Sequence, residues 1–92
     1  MNRRTIDMKE SGLEKIEKMI ADKFPWLNDT KVVDSPYGVR VEGPHFDLYG
    51  RIYRKPAGFD AVARTAYGSQ ERNFDTIEAA SEFVVRAHFG YR

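Results

Sequence analysis

Residues 46–55 constrain the fold most, because apolar residues alternate there with tyrosines and basic residues. Side chains along a β-strand point alternately to its two faces, so this pattern predicts a strand that is buried on one side. The side predicted to face a core carries Phe46, Leu48 and Ile52. The opposite side combines aromatic rings with cationic groups, and it carries Tyr49, Arg51, Tyr53 and Lys55. This second side is predicted to be a binding face.

The chain has 92 residues, which is the size of one domain with a modest core. Hydrophobic residues at 41% and charged residues at 32% are typical of a folded, water-soluble protein. The absence of cysteine excludes disulfide and thiolate chemistry, and the longest run of large apolar residues, 83–85, is too short to cross a bilayer. We therefore expect a single cytoplasmic domain over residues 1–92, with no membrane partner and with residues 1–10 as a flexible arm or a short strand.

Basic residues are concentrated in the middle of the chain, although the net charge is only +1. Residues 37–72 contain six basic and four acidic groups, and five of the six basic groups are arginine. A guanidinium group is a planar fork that suits phosphate, carboxylate and aromatic partners. The excess of charge is small, so strong non-specific binding to DNA is not expected.

Two helices are predicted, one near each end of the chain. The first begins at Ser11, which forms a capping box with Glu14, and ends before Pro25. The second begins after Asp75, with Glu78 as its capping-box partner, and ends at Gly90.

Three or four antiparallel strands are predicted between the helices, at residues 31–34, 39–42, 46–54 and 59–67, and residues 68–73 are predicted to be a polar loop. Along the last strand either Phe59, Ala61, Ala63 and Tyr67 or Val62 and Ala66 face inward, and the first set is favoured. The fold class is therefore α+β, with an N-terminal and a C-terminal helix on one face of an antiparallel sheet. The candidate binding residues on the uncovered face are Arg40, Tyr49, Arg51, Tyr53, Lys55 and Arg64.

No catalytic, cofactor or metal site is predicted. His45 and His88 lack the spacing of metal ligands, and no nucleophile or phosphate-loop motif occurs. Asp47 and Asp60 would act as an acid–base pair only if a pocket brought them together. The expectation is a non-enzymatic binding protein.

The segment 37–40, the strands after it, and the run Phe-Asp-Thr-Ile-Glu-Ala-Ala at residues 74–80 resemble AP2-type and phage-integrase arm-type DNA-binding domains. Those families present a three-stranded sheet, backed by one helix, to the major groove. The resemblance spans roughly residues 37–88. It implies that Arg40, Arg51 and Arg64 contact bases or phosphates.

In its overall type, as a small α+β domain without cysteine or reactive groups, the chain is similar to the small phage anti-CRISPR proteins. That resemblance implies a phage protein that acts in the host cytoplasm. It would block a CRISPR effector by docking on Cas subunits, with guide RNA or target DNA as further contacts. This is the leading hypothesis, and a DNA-binding module is the alternative. A small enzyme with a pocket and a homo-oligomer that pairs its sheet faces also remain open.

Overall fold

The computed structural model describes the backbone of residues 2–27 and 29–90, and the side chains of residues 12–27 and 29–90. In this part of the chain, one helix precedes and one helix follows a meander of five strands, which also contains one short 3-10 helix. In chain order the elements are α1 (Asn2–Lys23), β1 (Lys31–Ser35), β2 (Gly38–Glu42), the 3-10 helix (Pro44–Phe46), β3 (Leu48–Lys55), β4 (Gly58–Thr65), β5 (Gly68–Phe74) and α2 (Ile77–Phe89). The predicted α+β class is confirmed.

In the described part of the chain the sheet has five antiparallel strands in the order β1-β2-β3-β4-β5, not the three or four that were predicted. The additional strand is β5, which occupies the segment predicted to be a polar loop. It lies at the edge of the sheet and, within the described residues, pairs only with β4, from Thr65↔Gly68 to Phe59↔Phe74. An edge strand needs no apolar face to hold its backbone hydrogen bonds, so its sequence lacks the alternation that marked the other strands.

Three tight turns set the register of the sheet. Each turn has two residues between paired strand ends, and each is followed by a glycine with positive φ, at Gly38, Gly58 and Gly68. At Gly38 and Gly58 a Cβ atom would also lie 2.7 Å and 2.5 Å from a carbonyl oxygen of the neighbouring strand. The chain therefore requires glycine at these two positions for both its conformation and its close contact.

The core lies between one face of the sheet and both helices, as predicted. Helix α1 contributes Ile16 and Ile20, Phe24 follows directly after α1, and α2 contributes Ala80, Val84 and Val85. The facing strand residues are fully or almost fully buried: Val32, Val39, Val41, Ile52 and Ala61. At Gly50 a Cβ atom would stand 2.7 Å from Cγ1 of Val84, so the missing side chain lets α2 approach β3 closely.

The helix ends correct two local predictions. The backbone of α1 begins at Asn2 and is helical through Ser11, so the start predicted at Ser11 is wrong. The side chains of residues 1–11 lie outside the described part, and the flexible arm stays a prediction. Helix α2 is capped by Thr76, whose Oγ1 accepts a hydrogen bond from the amide of Ala79 at 3.2 Å, and not by Asp75. The predicted ends before Pro25 and at Gly90 are confirmed.

Two aromatic residues predicted to face the core are exposed. Phe46 belongs to the 3-10 helix and is 81% exposed, and Tyr67 lies fully exposed in the turn between β4 and β5. The strands are shorter than predicted at these two ends, so alternation does not extend to either residue. Among the described residues, no helix has the length and apolar character needed to cross a membrane.

Candidate interaction surface

A β-bulge at the start of β3 changes the face on which one predicted binding residue lies. In the pairing of β2 with β3, Val41 is opposite Gly50 but Glu42 is opposite Leu48, so Tyr49 is an extra residue on β3. Such an insertion shifts the alternation of side chains by one position. Tyr49 therefore points to the helix side of the sheet, and its predicted place on the uncovered face is wrong.

The ring of Tyr49 is part of the core, with only 4% of the residue exposed. It stacks on the ring of His88 at a centroid distance of 4.6 Å and meets the edge of Phe89 at 5.0 Å, so it fixes the end of α2 to the sheet. Burial, and then the negative charge of Asp47, raise the pKa of the Tyr49 hydroxyl. These contacts exclude Tyr49 from a docking surface on the other side.

The remaining predicted binding residues lie on the face that no described helix covers. Ile52 is completely buried on the helix side, so its neighbours Arg51 and Tyr53 point the other way, followed by Lys55. The same alternation turns Arg40, which lies between buried Val39 and Val41, to the uncovered face. It also turns Val62 and Arg64 to that face, because their neighbours Ala61 and Ala63 are buried on the helix side. We call this surface the open face; its central members are Arg40, Arg51, Tyr53, Lys55, Val62 and Arg64.

One row of paired residues crosses the open face through all five strands: Val33, Arg40, Arg51, Val62 and Glu71. At its centre Arg40 and Arg51 stand directly opposite each other, and residues so paired have Cβ atoms about 5 Å apart. Two like charges at this distance repel, so the sheet gains from any anion that neutralises them.

Glu42 partly neutralises this pair of arginines. Its Oε1 lies 2.9 Å from Nη2 of Arg40, although the residue is only 7% exposed. This contact is an ion pair without hydrogen-bond geometry, because Oε1 of Glu42 and Nε of Arg40 are both buried without a hydrogen bond. Arg51 makes no ion pair with any described residue. Arg51 is therefore the half-buried cation that an external anion would stabilise most.

Acidic groups moderate the charge of the open face. Asp60, which pairs with Tyr53 across β3 and β4, accepts a hydrogen bond from Nδ2 of Asn73 at 2.7 Å. By register the face carries five basic groups (Lys31, Arg40, Arg51, Lys55 and Arg64) against three acidic groups (Glu42, Asp60 and Glu71). The surface is therefore basic but not strongly so, which favours local contacts over long-range attraction.

Apolar and aromatic groups border the arginines. Val33 is 40% exposed at one end of the central row, and Val62 is half-buried beside Arg51. At the end of β3, Tyr53 and Tyr37 line a cleft of about 430 Å³ together with Pro36, Gly38 and Arg54. Tyr37 lies in the turn between β1 and β2, where the alternation of strand residues gives no information about the direction of a side chain.

The two histidines do not belong to the open face. His45 has a φ of 61° in the 3-10 helix, and Nδ1 of His88 lies 2.6 Å from the carbonyl oxygen of Arg64. Since a carbonyl oxygen only accepts, His88 Nδ1 is the donor in this hydrogen bond. The described part of the chain contains no group of three His, Cys, Asp or Glu side chains that could hold a metal ion.

Comparisons of the chain with protein-family models, curated proteins and solved structures give no match. The function is therefore inferred from the geometry of the chain's own surfaces.

Proposed function

We propose that this chain is a non-enzymatic binding protein that docks its open face on a nucleoprotein complex. The observation that carries the proposal is the position of Arg40, Arg51 and Arg64 on three neighbouring strands, all turned away from the two helices. Three guanidinium groups on a rigid sheet form a fixed template for phosphate or carboxylate groups.

The mixed character of the open face supports a partner that contains both protein and nucleic acid. Arg and Tyr are enriched among the residues that dominate binding energy in protein interfaces, and here they lie beside half-buried Val62. Tyr37 and Tyr53 border one cleft, where a base could stack on an aromatic ring, whereas Arg54 at the same cleft is already paired with Asp34 at 3.1 Å.

In the specific form of this proposal, the chain is an anti-CRISPR inhibitor. The open face would occupy a surface of Cas subunits, with guide RNA or target DNA as further contacts, in the cytoplasm of the host cell. A stoichiometric inhibitor of this kind needs a few strong side-chain contacts and no reactive group. Arg51 and Tyr53 would be the principal contacts, with Arg40, Lys55 and Arg64 around them.

The test is a matched pair of double variants. Arg51→Ala with Tyr53→Ala removes a cation and a ring from the open face, and Arg54→Ala with Tyr67→Ala removes the same two groups from other exposed positions. Inhibition of plasmid interference is measured in cells that carry one type I or type II CRISPR system each. We expect the first pair to abolish inhibition and the control pair to retain it. Loss in neither folded variant, or no inhibition by the wild-type protein in any system, would reject this form of the proposal.

A DNA-binding module is the second candidate, because the helix-backed strands β2, β3 and β4 carry the three arginines on one face. It predicts that the isolated protein retains a DNA duplex in a gel shift at low salt. Three phosphate contacts would give a slope of about −2.7 for the logarithm of the binding constant against that of the salt concentration. The absence of any retained duplex at low salt would remove this candidate.

A further inference from the structure

A groove lies beside β5, at the edge of the sheet and away from the open face. Its volume is about 420 Å³. One wall consists of every second residue of β5, namely Gln70, Arg72 and Phe74. The other wall is a single stripe of α2, namely Ala79, Glu82, Phe83, Arg86 and Ala87. A strand edge and a helix thus enclose a channel that runs alongside β5.

The two edges of the sheet differ in the hydrogen-bond partners of their backbone N–H and C=O groups. At β1 the amide of Val32 donates to Oε2 of Glu17 at 2.8 Å, so a side chain of α1 already satisfies one backbone group of that edge. At β5 residues 68–73 are all exposed, and within the described part of the chain only β4 pairs with the backbone of residues 69–73. Every second residue of such a strand directs its N–H and C=O outward, ready to pair with another strand.

The groove also holds a cation without an internal counter-charge. The guanidinium carbon of Arg72 lies 5.4 Å from the ring centroid of Phe83, and no described residue forms an ion pair with Arg72. The nearby carboxylate of Glu82 is already engaged, because it accepts from Nε of Arg86 at 2.8 Å and lies 3.8 Å from Nζ of Lys23. An incoming carboxylate would therefore complete the charge balance of the groove.

We propose that this groove binds an extended, acidic peptide segment of a partner protein, which adds to β5 as a sixth strand. The peptide backbone would pair with the outward N–H and C=O groups of β5, and its alternate side chains would enter the groove. One carboxylate would meet Arg72, and an apolar neighbour on the same side would cover the rings of Phe74 and Phe83, whose centroids are 5.3 Å apart. This site is independent of the open face, because Arg72 and Phe74 point to the helix side of the sheet.

A second copy of this chain fits the edge less well. A two-fold antiparallel pairing that covers the whole of β5 centres on Glu71, so it places that carboxylate opposite its own symmetry mate. Moving the centre to the next residue places Arg72 opposite Arg72. Like charges directly opposite each other destabilise a strand pair, whereas an acidic peptide has no such conflict.

The probe is a heptapeptide in which threonine alternates with valine, glutamate and valine, so that the glutamate and both valines share one side. Titration into isotope-labelled protein is followed by NMR. We expect the amide signals of residues 69–73 and 79–87 to shift, with dissociation constants of about 1 mM or below and no change on the open face.

Three changes test the assigned contacts. Arg72→Gln should weaken peptide binding about tenfold, because it removes one charge-assisted contact. Arg64→Gln on the open face is the matched control and should leave the affinity for the peptide unchanged. Replacing the central glutamate by lysine, or methylating the peptide amides on either side of it, should abolish the shifts. The amide spectrum of each protein variant verifies its fold.

Four results would overturn the proposal. The first two are no shift of the β5 amides at about 2 mM peptide, and equal peptide affinity for Arg72→Gln and the wild type. The third is concentration-dependent shifts of β5 in the protein alone, and the fourth is the same shifts with an oligonucleotide instead of the peptide. The third result would identify a second copy as the occupant, and the fourth a nucleic acid. Since the open face enters these experiments only as a control, their outcome is independent of the function proposed above.

Discussion

The two faces of the sheet are built from alternate residues of the same strands, yet they differ in almost every physical property. On the helix side Val39, Val41 and Ile52 are completely buried and make apolar contacts. On the other side their direct neighbours Arg40 and Arg51 are half-buried cations in a row bordered by valines. The comparison indicates that stability depends mainly on one face, and that the other is free to carry a binding function.

The largest contrast is expected between two neighbours on β3. Ile52→Ala removes a fully buried side chain from between the sheet and the helices, and should lower the free energy of unfolding by about 3 kcal/mol. Arg51→Ala on the open face should change it by less than about 0.5 kcal/mol. Urea denaturation measures both values. Similar losses in the two variants would mean that the open face also supports the fold.

Alanine substitutions at two glycines separate a packed position from an open one. Gly50→Ala should destabilise the protein by about 2 kcal/mol, because its Cβ would stand 2.5 Å from the carbonyl oxygen of Val62 and 2.7 Å from Cγ1 of Val84. Gly12→Ala in α1 is the control, since nothing lies within 4 Å of a Cβ there. It should stabilise the helix by up to about 1 kcal/mol. Thermal unfolding should therefore shift in opposite directions.

Tyr49 gives a test that depends on pH. Its folded-state pKa is raised above the ordinary value of 10.0 by burial and then by Asp47, so the unfolded chain loses this proton first as the pH rises. The contribution of Tyr49 is complete below pH 10 and is lost as the pH rises through the folded-state pKa. Tyr49→Phe should remove this part of the alkaline loss of stability, measured by denaturation at several pH values. An unchanged pH profile would contradict the burial of this hydroxyl.

The smallest effect on stability is expected at Val62. Val62→Thr keeps the branched shape of a strand residue on the open face and should alter the free energy of unfolding by less than about 0.5 kcal/mol. If the open face docks on a partner, the added hydroxyl should nevertheless weaken that contact, which the interference assay can measure. A large loss of stability would instead indicate that Val62 belongs to a second core.

Local sequence signals predicted those parts of the fold that neighbouring residues determine. Pro25 and Gly90 mark helix ends because proline cannot continue a helix and glycine accepts a left-handed conformation. Alternation also placed Arg40, Arg51 and Tyr53 correctly on the side away from Ile52. The start of α2 was missed by one residue, since Asp75 and Thr76 are both good capping residues and only the backbone selects between them.

Features that depend on pairing between distant residues could not be read in this way. The strand β5 has no apolar alternation, because among the described residues only β4 pairs with its backbone and its outer edge faces solvent. Tyr49 continued the alternating pattern of its segment, but the bulge against β2 reverses its direction and the end of α2 provides rings for it to contact. Both errors arise from hydrogen bonds and contacts between segments that the local pattern does not contain.

The sequence by itself determined the α+β class, two of the three tight turns in the described part of the chain, and the residue types available on each strand, because these follow from backbone preferences and the two-residue period of a strand. Only the tertiary structure decided which strand is the free edge, which tyrosine is buried, and which arginines form no ion pair with a described residue. The reason is that strand register and helix position are chosen by the packing of the whole core, and each of them determines the surroundings of many side chains at once.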